Sequence, residues 1–209
     1  MKEKMTAETD EFARALIEGA ADFNVRLTPD QIARLRKYHQ LLTAWNARLH
    51  LTGPCSPAEF ATRHVLESLF ASEHLPAGAR VADVGSGAGL PIIPCLIARS
   101  DLSAKLIEAS RKKAIFLREA LRATRIEKAE VIAERFESLP TPEVDVITCR
   151  ALERFGEMLP QLIAWAPPGS TLLLFGGPEL SARLSALGIE HEAVPLPRAK
   201  RRLLLVARR

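Results

Sequence analysis

Aromatic residues are scarce at 5% of the chain, which excludes an extended platform for stacking bases. Cysteine is nearly absent: Cys55, Cys95 and Cys149 are an odd number at wide spacing. That pattern excludes a closed disulfide framework and a CxxC zinc site, and it suits a reducing compartment. The five histidines (His39, His50, His64, His74 and His191) show no metal-ligand spacing, so no metal is expected. No long apolar run is present either. The best candidate, Val81 to Ala98, is interrupted by Asp83, three glycines and two prolines. A membrane helix needs about 18 nearly uninterrupted apolar residues, so this stretch reads as strand, loop and helix. The charged start, MKEKMTAETDEF, lacks the apolar core of a secretory signal. These absences predict a soluble, cytoplasmic protein with no membrane contact. Neither an internal repeat nor a low-complexity tract is found.

What is present is ordinary globular material: 209 residues, 47% apolar and 26% charged. A chain of this length buries roughly two thirds or more of its unfolded surface and needs no metal or disulfide to hold it. The net charge of +4 and pI near 9.2 admit an anionic partner without demanding one.

The first third is helical. Thr28-Pro29-Asp30-Gln31 supplies an N-cap hydroxyl, a proline at the first helical position and a Gln three residues after the cap. Ile32, Leu35, Tyr38, Leu41, Leu42, Trp45 and Leu49 then follow at helical spacing. Ser56-Pro57-Ala58-Glu59 opens another helix by the same logic, and an earlier one is predicted over about Glu8 to Phe23. From about Ala79 the period changes. Strands are predicted at Arg80–Val84, Ala104–Glu108, Ala129–Ala133, Val144–Cys149 and Thr171–Phe175, with helices at Leu90–Ile97 and Arg111–Arg122. Glu192–Leu196 and Leu203–Ala207 flank a short basic loop and pair as an antiparallel edge hairpin. Alternating strands and helices predict an α/β, Rossmann-like doubly wound sheet of seven mostly parallel strands. No linker interrupts the chain. It reads as one domain over 1–209, with a helical cap at 1–76 and the sheet-bearing core at 77–209.

A ligand in such a sheet sits beyond the C-terminal strand ends. There stand Asp83 to Leu90, Glu108 to Ser110, Glu134 to Glu137 and Thr148 to Ala151. Gly85, Gly87 and Gly89 let the backbone turn tightly and approach a ligand. The spacing is G-x-G-x-G, and Leu90 stands where the dinucleotide fingerprint needs its third glycine. Asp83, two residues upstream, opposes a pyrophosphate and suits a cation. S-adenosylmethionine carries a sulfonium and an ammonium and has no phosphate, so the electrostatics favour the methyl donor over NAD. Glu108 ends the second strand, where a carboxylate accepts from both ribose hydroxyls; the other reading is a solvated strand end. Phe136 and Glu137 follow the third strand and suit an adenine face and edge, or form an ordinary loop. Arg150, just past the fourth strand, either binds a ligand carboxylate or phosphate or makes a structural ion pair. Cys149 reads as a buried structural thiol, and His64 is the one histidine placed near the site. Basic residues gather at Arg111-Lys112-Lys113, with Arg118, Arg122 and Arg125, and again at Lys200-Arg201-Arg202. They are either solvated faces or one surface that tracks a phosphate backbone.

The runs VADVGSGAGLPIIP, LIEASRKKAIFLREALR, ERFESLP and VDVITCRA, in that order, resemble the RsmG (GidB) family of bacterial small-subunit rRNA methyltransferases. The upstream LLTAWNARLHLTG and RHVLESL resemble the same family's N-terminal cap. The resemblance covers the chain from about Leu27 to the last strand. It implies a class I S-adenosylmethionine-dependent fold and transfer of a methyl group to N7 of a guanine in 16S rRNA. That guanine is number 527 in the decoding region of the 30S particle. A monomeric enzyme is expected. By resemblance Gly85, Leu90, Glu108, Phe136, Glu137 and Arg150 hold or position the cofactor, and Arg201 is the basic residue before the last strand. Three departures stand out. Glu67 replaces the family's Asp in H-x-x-D-S, Glu108 replaces a frequent Asp, and LLLFGGPE lacks the lysine of the family's L-K-G segment. Readings from other classes are a methyltransferase for a small molecule or protein, an NAD-dependent oxidoreductase, and a non-catalytic assembly factor.

Overall fold

The structure, a computed structural model, describes residues 2–150 and 155–209, with side chains described at 11–150 and 157–209. The chain begins with helix α1 (Lys2–Gly19), which tightens into a 3₁₀ turn over Ala20–Phe23. Helix α2 (Pro29–Leu49) starts as its sequence predicts. Thr28 Oγ1 accepts from the Gln31 N–H at 3.3 Å, and Gln31 Oε1 accepts from the Thr28 N–H at 2.8 Å. Two otherwise unpaired donors are thereby satisfied at the helix start. Ser56 caps the next helix in the same way, accepting from the Glu59 N–H at 3.1 Å. That helix is not uniform. Helix α3 (Pro57–Glu59) widens into a π-helical stretch, Phe60–Leu66, before resuming as α4 (Glu67–Ala71). Apolar spacing alone does not reveal the widening, which lies against the site described below.

The sheet has seven strands: β1 (Arg80–Val84), β2 (Ser103–Ile107), β3 (Ala129–Ile132), β4 (Val146–Cys149), β5 (Thr171–Gly176), β6 (His191–Pro195) and β7 (Leu203–Arg208). Their order is β3-β2-β1-β4-β5-β7-β6. Strands β1 to β5 are parallel, and β7 runs antiparallel to both β5 and β6. The edge hairpin is therefore where the sequence places it, and strand bounds differ from the predicted ones by one or two residues. Helices α5 (Ile92–Ala98), α6 (Arg111–Ala123), α7 (Phe155–Trp165) and α8 (Pro178–Ala186) complete the described elements.

Alternate strand residues feed two cores. Val81, Leu106, Val146 and Leu173 pack beneath α2, α5 and α6 with Tyr38, Leu66, Ile93 and Phe116. Ala82, Ile107, Ile147 and Leu172 face Leu159, Leu162 and Leu184 on the other side. A parallel sheet covered on both faces needs such unbroken apolar strands. The cap side chains Phe12, Leu35 and Phe60 belong to the first core, so cap and sheet bury one another. Among the described residues no helix is long and apolar enough to cross a membrane, and no cluster of His, Cys, Asp and Glu is placed to hold a metal ion.

The chain order reverses between β1 and β4. The walk β1, β2, β3 goes one way along the sheet, and β4 returns to the far side of β1. A crevice opens at such a point beyond the strand ends.

We propose that cap and sheet fold as a single domain, on the strength of this shared core. Trp45 in α2 lies 6.1 Å from the Phe116 ring, while Trp165 sits in the opposite core with its indole N–H donating to Leu139 O. In variants retaining one tryptophan each, W45F and W165F, urea unfolding followed by fluorescence is expected to coincide with unfolding followed by far-ultraviolet circular dichroism. Separate transitions in either variant contradict a single folding unit.

Candidate functional site

The loop after β1 is held from three sides. Gly85 and Ser86 donate their N–H groups to Ile107 O at 2.9 and 3.1 Å. Gly87 N–H donates to Glu108 Oε2 at 2.8 Å, and Glu108 Oε1 accepts from Ser110 N–H at 2.8 Å. From the cap, the buried Tyr38 hydroxyl donates to Ala88 O at 2.6 Å. Gly87 has φ 50°, in the left-handed region that favours glycine, and a Cβ there would lie 4.0 Å from Glu108 Oε2. Gly89 answers a different need: a Cβ there would collide with Ile93 Cδ1 and Cγ1, so its role is to let the loop pack on α5.

Above this loop lies a cavity of about 590 Å³, within the range of small-molecule sites. Its lining includes Gly85, Gly87, Leu90, Glu108, Phe136, Glu137 and Arg150 from the sequence reading, with His64 and Lys113 beside them. The arrangement differs from that reading at two positions. Asp83 and Gly89 do not line the cavity. Asp83 is fully buried beneath it, because alternation along β1 turns its side chain into the cap-side core. Ala151 falls outside the described residues. Phe136 is buried, with its ring centroid 5.4 Å from that of Trp165 in an edge arrangement. Glu137 pairs with Arg135 at 3.6 Å.

Arg150 combines both roles considered for it. It lines the cavity, yet its guanidinium is committed to the cap. One terminal nitrogen donates to Arg63 O at 2.7 Å and to Glu67 Oε2 at 3.0 Å; the other lies 3.4 Å from both His64 O and Ser68 Oγ. The Phe175 ring lies beneath it, 5.0 Å from the guanidinium carbon. Glu67, buried to 1%, also accepts from Arg202 Nε at 2.9 Å and from its terminal nitrogen at 2.6 Å. One buried carboxylate thus joins the end of β4, the π-helical stretch and the hairpin loop. Removing it would leave Arg150 charged, buried and unpaired, a loss of about 3–5 kcal/mol for such pairs.

Asp83 is the electrostatic exception. Thr148 donates to its Oδ1 at 2.6 Å, while Oδ2 is buried without a hydrogen-bond partner. Burial pushes its carboxyl up to about 7, opposed by the Thr148 hydrogen bond. His64 is displaced the other way, to about 3, by burial and by the positive charge of Arg150, and is therefore a neutral imidazole at physiological pH.

The sequence reading missed Tyr38, which was legible only as part of an apolar stripe, although a buried tyrosine hydroxyl requires a partner. Ser110 and Thr148 were placed at the site, but their bonds, Ser110 N–H to Glu108 and the Thr148 hydroxyl to Asp83, were not foreseen. Glu67 was visible as a departure from the family pattern, but its two arginine partners lie 83 and 135 residues away. The lysine-free segment also has a structural counterpart. At Gly176 a Cβ would come within 2.5 Å of Leu180 Cδ2, so no side chain fits there as the helix now packs.

The basic residues fall into two positions. Arg111, Lys112 and Lys113 open α6 at the C-terminal end of β2. Antiparallel pairing of Gly176 with Leu203 brings the Lys200-Arg201-Arg202 loop to the C-terminal end of β5. The two groups therefore stand at the C-terminal ends of the strands, three to four strand spacings apart, or about 14–19 Å, and of them Lys113 lines the cavity. Arg118 lies further along α6 and donates to Val131 O at 3.0 Å.

The residues present fit S-adenosylmethionine better than a dinucleotide. Each Glu108 oxygen holds one backbone N–H, which leaves lone pairs for ribose hydroxyls. A pyrophosphate needs free N–H groups at the following helix. Here Pro91 and Pro94 have none and Ile93 N–H is spent on Gly89 O at 2.8 Å.

Comparison with known proteins adds to this geometry. The family model GidB, described as rRNA small subunit methyltransferase G, matches residues 31–191. A ribosomal RNA small subunit methyltransferase G of Sorangium cellulosum is 37% identical over 175 residues, covering 80% of this chain and 73% of that protein. The protein of the same name from Nitrosomonas eutropha is 34% identical over 185 residues, covering 83% and 86%. Among solved structures, the ribosomal protein L11 methylase of Lactobacillus delbrueckii subsp. bulgaricus superposes with a TM-score of 0.58 at 17% identity, covering 70% of this chain and 78% of that one. That likeness concerns the fold.

The buried carboxyl of Asp83 gives a signed pH effect. A folded-state value raised from 3.8 to about 7 favours the fold most below pH 4, and that contribution is lost as pH rises to 7. D83N has no charge to bury. Its stability relative to the wild type, measured by urea unfolding, is expected to improve by about 2–4 kcal/mol between pH 4 and pH 8. A constant difference across that interval contradicts the assignment.

Proposed function

The chain belongs to the rRNA small subunit methyltransferase G family, and from that premise we propose that it transfers the methyl group of S-adenosylmethionine to N7 of a guanine in 16S rRNA. One observation carries the reading. A small-molecule cavity with a ribose-ready carboxylate opens at the C-terminal strand ends, the end of the sheet at which both basic groups also stand.

When bound, the cofactor supplies an electrophilic methyl group on a positively charged sulfur. The protein's own contribution is orientation. Glu108, anchored by Gly87 and Ser110, would hold the nucleoside end, and Phe136 with Glu137 would border the adenine. Arg150, pinned by Glu67, forms a rigid wall on the cap side. Asp83 lies beneath the floor and supplies a negative field to a cationic ligand when its carboxyl is ionised. Guanine N7 bears a lone pair and no proton, so attack requires no general base. The neutral His64 and the buried thiols Cys95 and Cys149 are consistent with that economy. Holding donor and acceptor in line supplies several kcal/mol, up to about 7–11 in the best cases.

The RNA is a polyanion, and the rim meets it with Arg111, Lys112, Lys113 and Arg201. Arg202 and Arg118 contribute less, because their guanidinium groups already donate to Glu67 and Val131 O. Binding is accordingly salt-dependent. The substrate is the 30S particle or its 16S rRNA, the enzyme acts as a monomer, and the compartment is the cytoplasm. The modified base is guanine 527, following the family resemblance.

Purified protein with labelled S-adenosylmethionine is expected to label 30S particles or 16S rRNA, and cleavage at N7-methylguanine should map the label to one guanine. Cofactor binding without transfer to either substrate overturns the function. Label at a different guanine corrects only the position.

A further inference from the structure

His64 belongs to the cavity wall but has no part in the mechanism above. Its Nδ1 lies 3.3 Å from a terminal nitrogen of Arg150. That terminal nitrogen gives its two protons to Arg63 O and Glu67 Oε2 and shares one of them with Nδ1; a guanidinium has only donors, so Nδ1 is assigned as an acceptor and the proton of the neutral ring to Nε2. The alternative protonated ring would place two donors face to face beside Arg63, Arg150 and Arg202, whose charges all disfavour it. The ring is further fixed against Phe60, 5.1 Å between centroids. Among the described residues Nε2 has no hydrogen-bond partner. A single N–H donor is thus held at the cavity wall, and no described residue satisfies it.

Guanine presents N7 and O6 on one edge, both acceptors; adenine presents N7 beside an amino donor. A lone N–H on the cavity wall matches the first edge and repels the second. We propose that His64 Nε2–H donates to O6 of the target base and is the residue that selects guanine over adenine. The proposal rests on the N7-methyltransferase reading. A site built to donate to an oxygen discriminates against an analogue lacking it, because its donor is then left unpaired.

The test uses 30S particles reconstituted with 16S rRNA carrying either guanine or 2-aminopurine at the target position. 2-Aminopurine keeps N7 and loses O6. The quantity read is the ratio of kcat/KM for the two particles. This ratio does not depend on the fraction of protein that is folded, and it cancels between variants any intrinsic difference in N7 reactivity. His64→Phe keeps a planar ring and removes the donor. It is expected to shrink the guanine preference by about tenfold or more, mainly through loss of rate on guanine. His64→Gln restores an N–H donor and should recover part of the preference. An unchanged ratio in His64→Phe overturns the role of His64, as does a Gln variant no better than Phe. Absence of transfer to guanine particles by the wild-type protein is a separate result and overturns the underlying function instead.

Discussion

Glu108 accepts one backbone N–H from the glycine loop and one from the start of α6, and that pair of hydrogen bonds determines the shape of the crevice. A carboxylate at the end of β2 bridges the glycine loop and the start of α6, adding to the bonds that Gly85 and Ser86 make to Ile107 O. Charge-assisted bonds to backbone N–H groups are among the stronger ones available to a protein. Both oxygens retain lone pairs facing the cavity, so the same group that builds the loop can also hold a ligand. Tyr38 closes the arrangement from the cap by fixing Ala88 O. The helical cap is thereby part of the cofactor site and more than a cover for the sheet.

Charge is used sparingly and in the interior. Glu67 pairs with both Arg150 and Arg202, and for Glu67 itself, buried to 1%, desolvation without those partners would be costly. The result is a stiff corner joining the π-helical stretch, the end of β4 and the loop before β7. Asp83 is the opposite case, a buried carboxyl with one oxygen unsatisfied. Such an unpaired group lowers stability. A cationic ligand settling above it offsets that cost and would draw its proton away. Glu67 has partners on both oxygens, and Asp83 on one.

Much of this was legible in the chain. Capping boxes at Thr28 and Ser56, the period change near Ala79 and the glycine spacing placed the helices, the sheet and the crevice. The mostly parallel sheet and its antiparallel edge hairpin followed from the alternation of strands and helices, whereas the order of the strands did not. The resemblance carried by SRKKAIFLRE and CRA then narrowed the chemistry. What stayed hidden depended on long-range geometry. Asp83 faces the core because of strand alternation, a one-residue matter that the motif Asp-x-Gly does not express. Arg150 reaches back to a helix more than 80 residues upstream. The π-helical widening of Phe60–Leu66 leaves no mark in apolar spacing, yet it sets where Arg63 O and His64 O meet that guanidinium. These features arise from packing of distant segments, which local patterns do not encode.

The central claim is that the loop between β1 and α5 cradles a sulfonium nucleoside and excludes a dinucleotide. A crystal structure of the protein grown with S-adenosylmethionine or its demethylated product tests it most directly. The account predicts ribose hydroxyls on Glu108, adenine beside Phe136, and the sulfur end over Gly85 toward Arg150. Ligand density elsewhere on the surface, or a crevice that prefers a pyrophosphate-containing nucleotide under competition, would contradict it.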